Sequence, residues 1–325
     1  MLTPLSDMVS IIDTEALGTP MVVAAFLVTG KETALIDMGY QSSAETIMGD
    51  LAEHGFGPDR LDYLLPTHVH LDHSGSLGTL AKTFTNASIR VHPKGERHLA
   101  DPSALWKGAG ELFGEELMRE FGRPQSVDRK RLKNAADGDV IDLGNEIRLR
   151  TVWTPGHASH HLSYELEGHR AFFTGDAVGV CFPGFPILTP TTPPTSFNLE
   201  KTLQSLELIR ASSPLEFYTP HYGLVGNATQ WIDENVESLQ SWKLSIQEMT
   251  KKGCSAAQIS HALTDEACKK LGRTRSEPPD HLRSLIQNSV LGFLRYFEEF
   301  EKQLSFTMMP PHTWRAADPD CTGSK

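Results

Sequence analysis

The sequence predicts an α/β fold: an αββα sandwich of two mixed β-sheets flanked by helices, with a helical C-terminal appendage. Three observations carry that expectation. Two blocks of short apolar and β-branched runs stand at about residues 8–40 and 137–180, each block is followed by helical spacing, and from Trp231 onward only helical patterns remain.

In the first block "MVSIIDT", "MVVAAFLVTG" and "TALIDMG" are divided by Gly, Thr and Pro and read as consecutive strands. "SSAETIMGDLAEHGFG" follows, with a serine cap, apolar residues at helical spacing and a terminal glycine, so a helix is expected. "LDYLLPTH" is the next strand, and it delivers a histidine cluster at its end. A helix over 76–85 and a strand at "IRVHP" come next, then an irregular stretch from about 94 to 130 with a helical piece around "GEELMREFG".

The second block, "DVIDLG", "EIRLRTVWTPGH", "HLSYELEG" and "RAFFTGDAV", is divided by Gly or Asp-Gly type turns. "NLEKTLQSLELIRAS", 198–212, has apolar residues at i, i+3, i+4 and i+7 and an asparagine placed as cap. The expected divisions are a sandwich domain over 1–230, a helical region over 231–306 and an irregular tail over 307–325. The amphipathic stripes of the helical region read as core, although a homodimer interface would look the same.

At 325 residues the chain can bury one large core and carry an appendage. Its net charge of −11 argues against nucleic acid, which needs clustered Lys and Arg, and the basic run "DRKRLK" at 128–133 is short. No apolar run approaches the roughly 20 residues that span a bilayer. The N-terminus "MLTPLSDMVSIIDTEALG" lacks the basic start and apolar core of a signal peptide, so a cytoplasmic protein without a membrane partner is expected. Cys181, Cys254, Cys268 and Cys321 form no CxxC pair, which leaves neither a disulfide framework nor a cysteine zinc site.

The chemistry concentrates in "LLPTHVHLDHSGSLG", residues 64–78. Imidazole nitrogen and carboxylate oxygen together suit zinc or a similar divalent ion. Alternate residues of an extended stretch share a side, so His68 and His70 can face one metal while the following turn directs Asp72 and His73 to another. Gly75 and Gly78 would let the chain turn away without crowding the site. Three further strand ends carry suitable ligands: His157 in "VWTPGHASHH", Asp176 in "AFFTGDAV" and His221 in "EFYTPHYG".

These motifs, T-H-V-H-L-D-H-S-G (67–75), T-P-G-H (154–157), F-T-G-D (173–176) and T-P-H-Y-G (219–223), resemble in order and spacing those of the metallo-β-lactamase fold superfamily of metallohydrolases, across about residues 8–230. "ALIDMG", 34–39, resembles the strand-ending aspartate that precedes the family's first ligand motif. The resemblance implies that His68, His70 and His157 hold one metal and Asp72, His73 and His221 the other, with Asp176 bridging them. His70 stands where the di-iron redox branch carries Glu, which favours zinc-type hydrolysis, with iron or manganese as alternatives.

A water shared by two cations about 3.5–4 Å apart loses its proton near neutral pH, because the pKa of metal-bound water falls to about 7 from 15.7. That bridging hydroxide is the expected nucleophile, and Asp72 is the expected catalytic residue, orienting it and moving a proton to the leaving group. Asp37 is expected to bond to the loop that holds the cluster, and His161 either to support the ligands or to pack. His92 is expected to be structural, His98, His160 and His169 carry no clear signal, and His54, His261, His281 and His312 read as surface residues. The proline-rich "CFPGFPILTPTTPPTSFN", 181–198, reads equally as a rigid connection or as an apolar substrate wall, with Trp106 and Phe113 as candidates for the opposite wall.

The expected activity is metal-dependent hydrolysis of a small ester, lactone, thioester or phosphoester with an apolar portion, on one substrate or promiscuously on several. A glyoxalase II-like thioesterase is an alternative, but its cluster is T-H-x-x-x-D-H and its substrate site basic. A β-lactamase-type amide hydrolase would be exported. A non-catalytic metal-binding interaction module is the alternative of another class, disfavoured by the complete ligand set. No G-x-S-x-G occurs to support a serine nucleophile.

Overall fold

Apolar residues that alternate between two buried faces decide the layering. The computed structural model of the chain describes residues 2–271 and 278–307, with side chains as far as 299. Its first sheet has seven strands in sequence order: β1 (Leu2–Pro4), β2 (Val9–Asp13), β3 (Ala24–Thr29), β4 (Thr33–Ile36), β5 (Tyr63–Leu65), β6 (Ser88–Val91) and β7 (Leu132–Asn134). Neighbours from β1 to β4 are antiparallel. From β4 to β7 they are parallel, as helical crossovers require. Those crossovers are α1 (Ala44–Glu53), α2 (Leu71–Ser74) with α3 (Leu77–Thr83), and α4 (Pro93–Ala100) with α5 (Ser103–Phe121).

The second sheet holds β8 (Val140–Asp142), β9 (Arg148–Trp153), β10 (Leu162–Leu166) and β11 (Ala171–Phe173). A separate hairpin, β12 (Val180–Phe182) with β13 (Phe185–Thr189), and helix α6 (Leu199–Ala211) follow. Strand β14 (Glu216–Thr219) then returns parallel to β11, and β15 (Gly223–Gly226) closes the edge. Helices α7 (Ala228–Lys251), α8 (Ala256–Lys270) and α9 (Asp280–Thr307) end the described chain.

Strand β3 shows the principle. Ala24, Phe26 and Val28 join Phe173 and Tyr218 of the second sheet in one apolar cluster, while Ala25 and Leu27 join Ile47 of α1 and Leu80 of α3 in another. Both faces being buried, the strand is a continuous apolar run. On the far side of the second sheet Phe172 and Phe217 pack with Leu206 of α6, Ile232 of α7, Ile259 of α8 and Phe293 of α9. The layers are therefore helix, sheet, sheet, helix, and the C-terminal helices share a core with the second sheet. Among the described residues no helix is long and apolar enough to cross a membrane.

Several local expectations change. The stretch expected to be irregular holds α4 and α5. His92 caps α4, accepting from the Lys94 amide at 3.1 Å, and Pro93 begins it, where its missing amide proton costs nothing. Helix α5 breaks at Gly114, whose φ is 78°. Ser43 makes no side-chain cap on α1, whereas Asn198 caps α6 by accepting from the Lys201 amide at 2.9 Å. Gly75 and Gly78 serve close packing rather than a turn, since a Cβ would lie 2.3 Å from the Leu71 carbonyl oxygen in one case and 2.0 Å from that of Gln125 in the other. His312 and tail residues 308–325 lie outside the described residues.

Candidate metal centre

All seven predicted residues meet at the ends of strands. His68 and His70 leave β5 in extended conformation, and the chain then turns into α2, which presents Asp72 and His73. His157 follows β9, Asp176 follows β11 and His221 follows β14. The donor atoms fall into groups in which all lie within 4.8 Å of one another: His68, His70 and His157 in one, Asp72, His73 and His221 in another. Asp176 lies between them. Its Oδ2 is 3.4 Å from His157 Nε2, and its Oδ1 is 3.4 Å from His73 Nε2 and 3.6 Å from His221 Nε2.

Outer hydrogen bonds fix the ring tautomers. His157 Nδ1 donates to the Thr191 carbonyl at 3.1 Å, His221 Nδ1 to the Val22 carbonyl at 2.9 Å and His73 Nδ1 to Asp37 Oδ2 at 3.0 Å. The Thr67 hydroxyl donates to Asp37 at 2.9 Å and accepts from His68 Nδ1 at 3.1 Å. A neutral imidazole carries one proton, so each of these four rings aims an Nε2 lone pair inward. Asp37 thus holds the cluster as expected, by bonds to Thr67 and His73.

The convergence leaves conflicts that only positive charge resolves. His68 Nε2 and His157 Nε2 both stand 2.9 Å from His70 Nδ1, and one proton cannot serve three nitrogens. His73 Nε2 and Asp176 Oδ1 are buried without a hydrogen-bond partner. Leaving such groups unpaired is costly, so a donor set of this kind fits a divalent cation.

The electrostatics agree. Burial, reinforced by neighbouring imidazoles, lowers His68 well below the usual histidine range and His70 to about 3. Burial likewise lowers His157 to about 3, leaving these rings neutral and able to donate lone pairs. Burial would also lower His73 and His221, but Asp72 and Asp176 outweigh it and raise both. Asp72 is held well below the carboxylate range, its burial overcome by His73 and His221. The carboxylate end therefore attracts positive charge.

His161 lies behind this cluster. It accepts from the Asp176 amide at 3.0 Å through Nε2 and bonds the Thr154 hydroxyl at 2.8 Å through Nδ1, which supports the loop that carries Asp176. Thr191 ties two of these residues together, its hydroxyl donating to the Asp176 carbonyl at 2.7 Å while its carbonyl holds His157. The neighbouring Thr192 and Pro190 are clamped to Ser289 of α9 by hydrogen bonds of 2.8 and 2.7 Å.

Above the donors lies a cleft with two arms of about 350 and 340 Å³. Tyr40, Phe113, Phe121 and Leu285 line both, and Tyr40 stacks on Phe121 at 4.4 Å between ring centres. Phe113 is thus a wall as expected, while Trp106 packs with α5 outside either lining. The proline-rich segment divides its roles. Phe182 and Thr191–Thr195 line the cleft, Phe185 is buried in the core, and Ile187 and Leu188 face α7 and α8.

Sequence reasoning missed Tyr40, His98, His281 and the α9 residues. His281, expected on the surface, stands edge-on to Phe182 at 4.5 Å in the first arm. His98 lines the second arm, and His160 lies beside His70 with ring centres 6.0 Å apart. The position of Tyr40 directly after "DMG" was the one local signal, since the aspartate there anchors the cluster.

A family model described as "Metallo-beta-lactamase superfamily" matches residues 18–221. A metallo-beta-lactamase fold-containing protein of Sulfurisphaera tokodaii is 29% identical over 244 residues, 74% of this chain and 87% of that protein. An atrochrysone carboxyl ACP thioesterase of Aspergillus fumigatus is 29% identical over 220 residues, 65% of this chain but only 54% of the relative, so the chain spans about half that protein's length. The solved structure of a metallo-beta-lactamase family protein from Thermus thermophilus superimposes with a TM-score of 0.66 at 22% identity, covering 92% of this chain and 95% of that one. With the match spanning more than half of the chain and the fold in agreement, this protein belongs to the metallo-beta-lactamase superfamily.

Proposed function

We propose that the protein is a metal-dependent hydrolase of small substrates with an apolar portion, and that it holds two divalent ions, preferably zinc, with iron or manganese as alternatives. His68, His70 and His157 would hold one, Asp72, His73 and His221 the other, and Asp176 would touch both. The observation that carries this reading is the convergence of lone pairs and unpartnered donor atoms at the floor of an apolar cleft. Ions bound there would acidify a water and polarise the oxygen of the scissile group.

The chain's own residues supply the rest. The cleft's apolar walls exclude bulk water and hold the substrate. Asp72 lines both arms, so its carboxylate can accept a proton from water in the cleft and return it to the leaving group. Hydrolysis is also the chemistry named in one relative, the thioesterase.

A non-catalytic interaction module would need neither a complete donor set nor a roomy cleft above it. The test is a panel of aryl esters, lactones, acyl thioesters and phosphodiesters assayed before and after chelation. Activity that vanishes with chelator and returns with added zinc is expected. Hydrolysis indifferent to chelator, or none with any class, would contradict the proposal.

A further inference from the structure

We infer that the substrate is an uncharged carboxylic ester, open-chain or cyclic, whose acyl chain lies in the arm along α5, with Gly108 setting how large that chain can be. This rests on the hydrolase reading above and narrows it.

The second arm starts at His70 and His157 and runs between two walls. One wall is a single face of α5, made by Ala104 and Leu105, Gly108 and Ala109, and Leu112 and Phe113, pairs that recur every four residues. The other is the Thr191–Thr195 segment, with Leu285 of α9 beneath. At about 340 Å³ it has the size of a small-molecule site, and its wall residues, His98 at the rim apart, are uncharged. Such a surface gains from burying methylenes and offers nothing to a second ionic group.

Charge decides against the other classes. Among the described residues no Lys or Arg lines either arm, and the first arm has Glu120 and Asp280 at its edge. A coenzyme A or glutathione thioester carries phosphates or carboxylates beyond the reacting group, and within either arm these would meet no Lys or Arg among the described residues. An uncharged ester needs none. Its hydrolysis balances within the site: water oxygen bonds to the acyl carbon, the bond from that carbon to the alkoxy oxygen breaks, and the water proton passes through Asp72 to the departing alkoxide. The products are an alcohol and a carboxylic acid, or one hydroxy acid from a cyclic ester, and the acid then ionises.

Gly108 is the glycine of α5 that lines the arm. A Cβ there meets nothing within 4 Å, and so does one at Gly110, which is on the same helix but lines neither arm. Both glycines can therefore take a side chain, and both substitutions favour the helix. Phe at 108 would fill the arm, whereas Phe at 110 would not.

The zinc-loaded full chain would be assayed on p-nitrophenyl acetate, butyrate and octanoate, on octanoyl coenzyme A and on bis(p-nitrophenyl) phosphate. In parallel, calorimetry would follow methyl octanoate binding to the metal-free chain. With roughly threefold gained per buried methylene, kcat/KM should rise on the order of 700-fold over the roughly six methylenes that separate octanoate from acetate. The octanoate ester should exceed both charged substrates. Gly108→Phe should abolish the chain-length preference and weaken methyl octanoate binding at least about tenfold, with Gly110→Phe unchanged in both. Preference for the phosphodiester or the coenzyme A ester would overturn this inference while leaving metal-dependent hydrolysis standing. Equal binding of methyl octanoate by wild type and Gly108→Phe would overturn it whatever the activity. Binding that follows Gly108 without metal-dependent hydrolysis of any substrate would support the acyl arm and defeat the hydrolase reading instead.

Discussion

Asp176→Ala should empty both halves of the metal centre and lower kcat/KM on the best substrate by on the order of 1,000-fold. Asp176 places one oxygen 3.4 Å from His157 Nε2 and the other 3.4 Å from His73 Nε2, so it faces both donor groups at once. Loss of a residue that merely orients a metal ligand costs roughly 10–100-fold in affinity, and a side chain in direct contact should cost more. The variant should still fold. The Asp176 backbone amide and carbonyl bond His161 and Thr191, and the substitution leaves both bonds in place. The metal-free variant should melt close to metal-free wild type, while the rise in Tm on adding zinc should shrink, because a metal stabilises more the tighter it binds. Elemental analysis and thermal melts, with and without zinc, check both halves. A variant that keeps its full metal content would show that Asp176 is not a ligand.

The second large effect lies far from the donors in sequence. Gly292→Val should destabilise the protein by about 3 kcal/mol or more and reduce its metal content. A Cβ at Gly292 would stand 1.6 Å from the Thr192 carbonyl oxygen and 3.2 Å from the Pro193 carbonyl carbon, both backbone atoms that cannot rotate away. The loop has little freedom to retreat, since Ser289 bonds Pro190 and Thr192 on either side of Thr191. Any shift moves Thr191, which holds the His157 ring and the Asp176 backbone. Denaturant melts and metal analysis of the variant measure the two effects. Wild-type stability and metal content would mean that α9 does not set the position of this loop.

This coupling explains what the C-terminal helices contribute. They supply Leu285 and Asn288 to the cleft, and through Ser289 they fix the segment that orients His157 and Asp176. Helical patterning revealed that these helices exist, because their apolar stripes pack on the second sheet. It could not reveal their reach into the site, which depends on Gly292 meeting the distant Thr192 carbonyl.

The same contrast runs through the molecule. The strands were legible because β3 and β11 are apolar runs and β9 alternates polar with apolar residues, and the donors because each follows a strand pattern. Helices α4 and α5 were hidden for a physical reason. The face of α5 borders a cavity rather than a core, so its apolar periodicity is diluted by Gly108, Gly110 and Gly114. The β12–β13 hairpin was masked by Pro183 and Pro186, which demote a run to non-strand. The backbone carbonyls of Val22 and Thr191 leave no trace in residue type, yet they fix the tautomers of His221 and His157.

The most direct test is the metal stoichiometry of the full chain. Protein stripped with chelator, reconstituted with zinc and freed of excess ion should carry two equivalents per chain by elemental analysis, bound in two steps or one. Less than one equivalent per chain after reconstitution would contradict the assignment of His68, His70, Asp72, His73, His157, Asp176 and His221 as the donors of a two-ion centre.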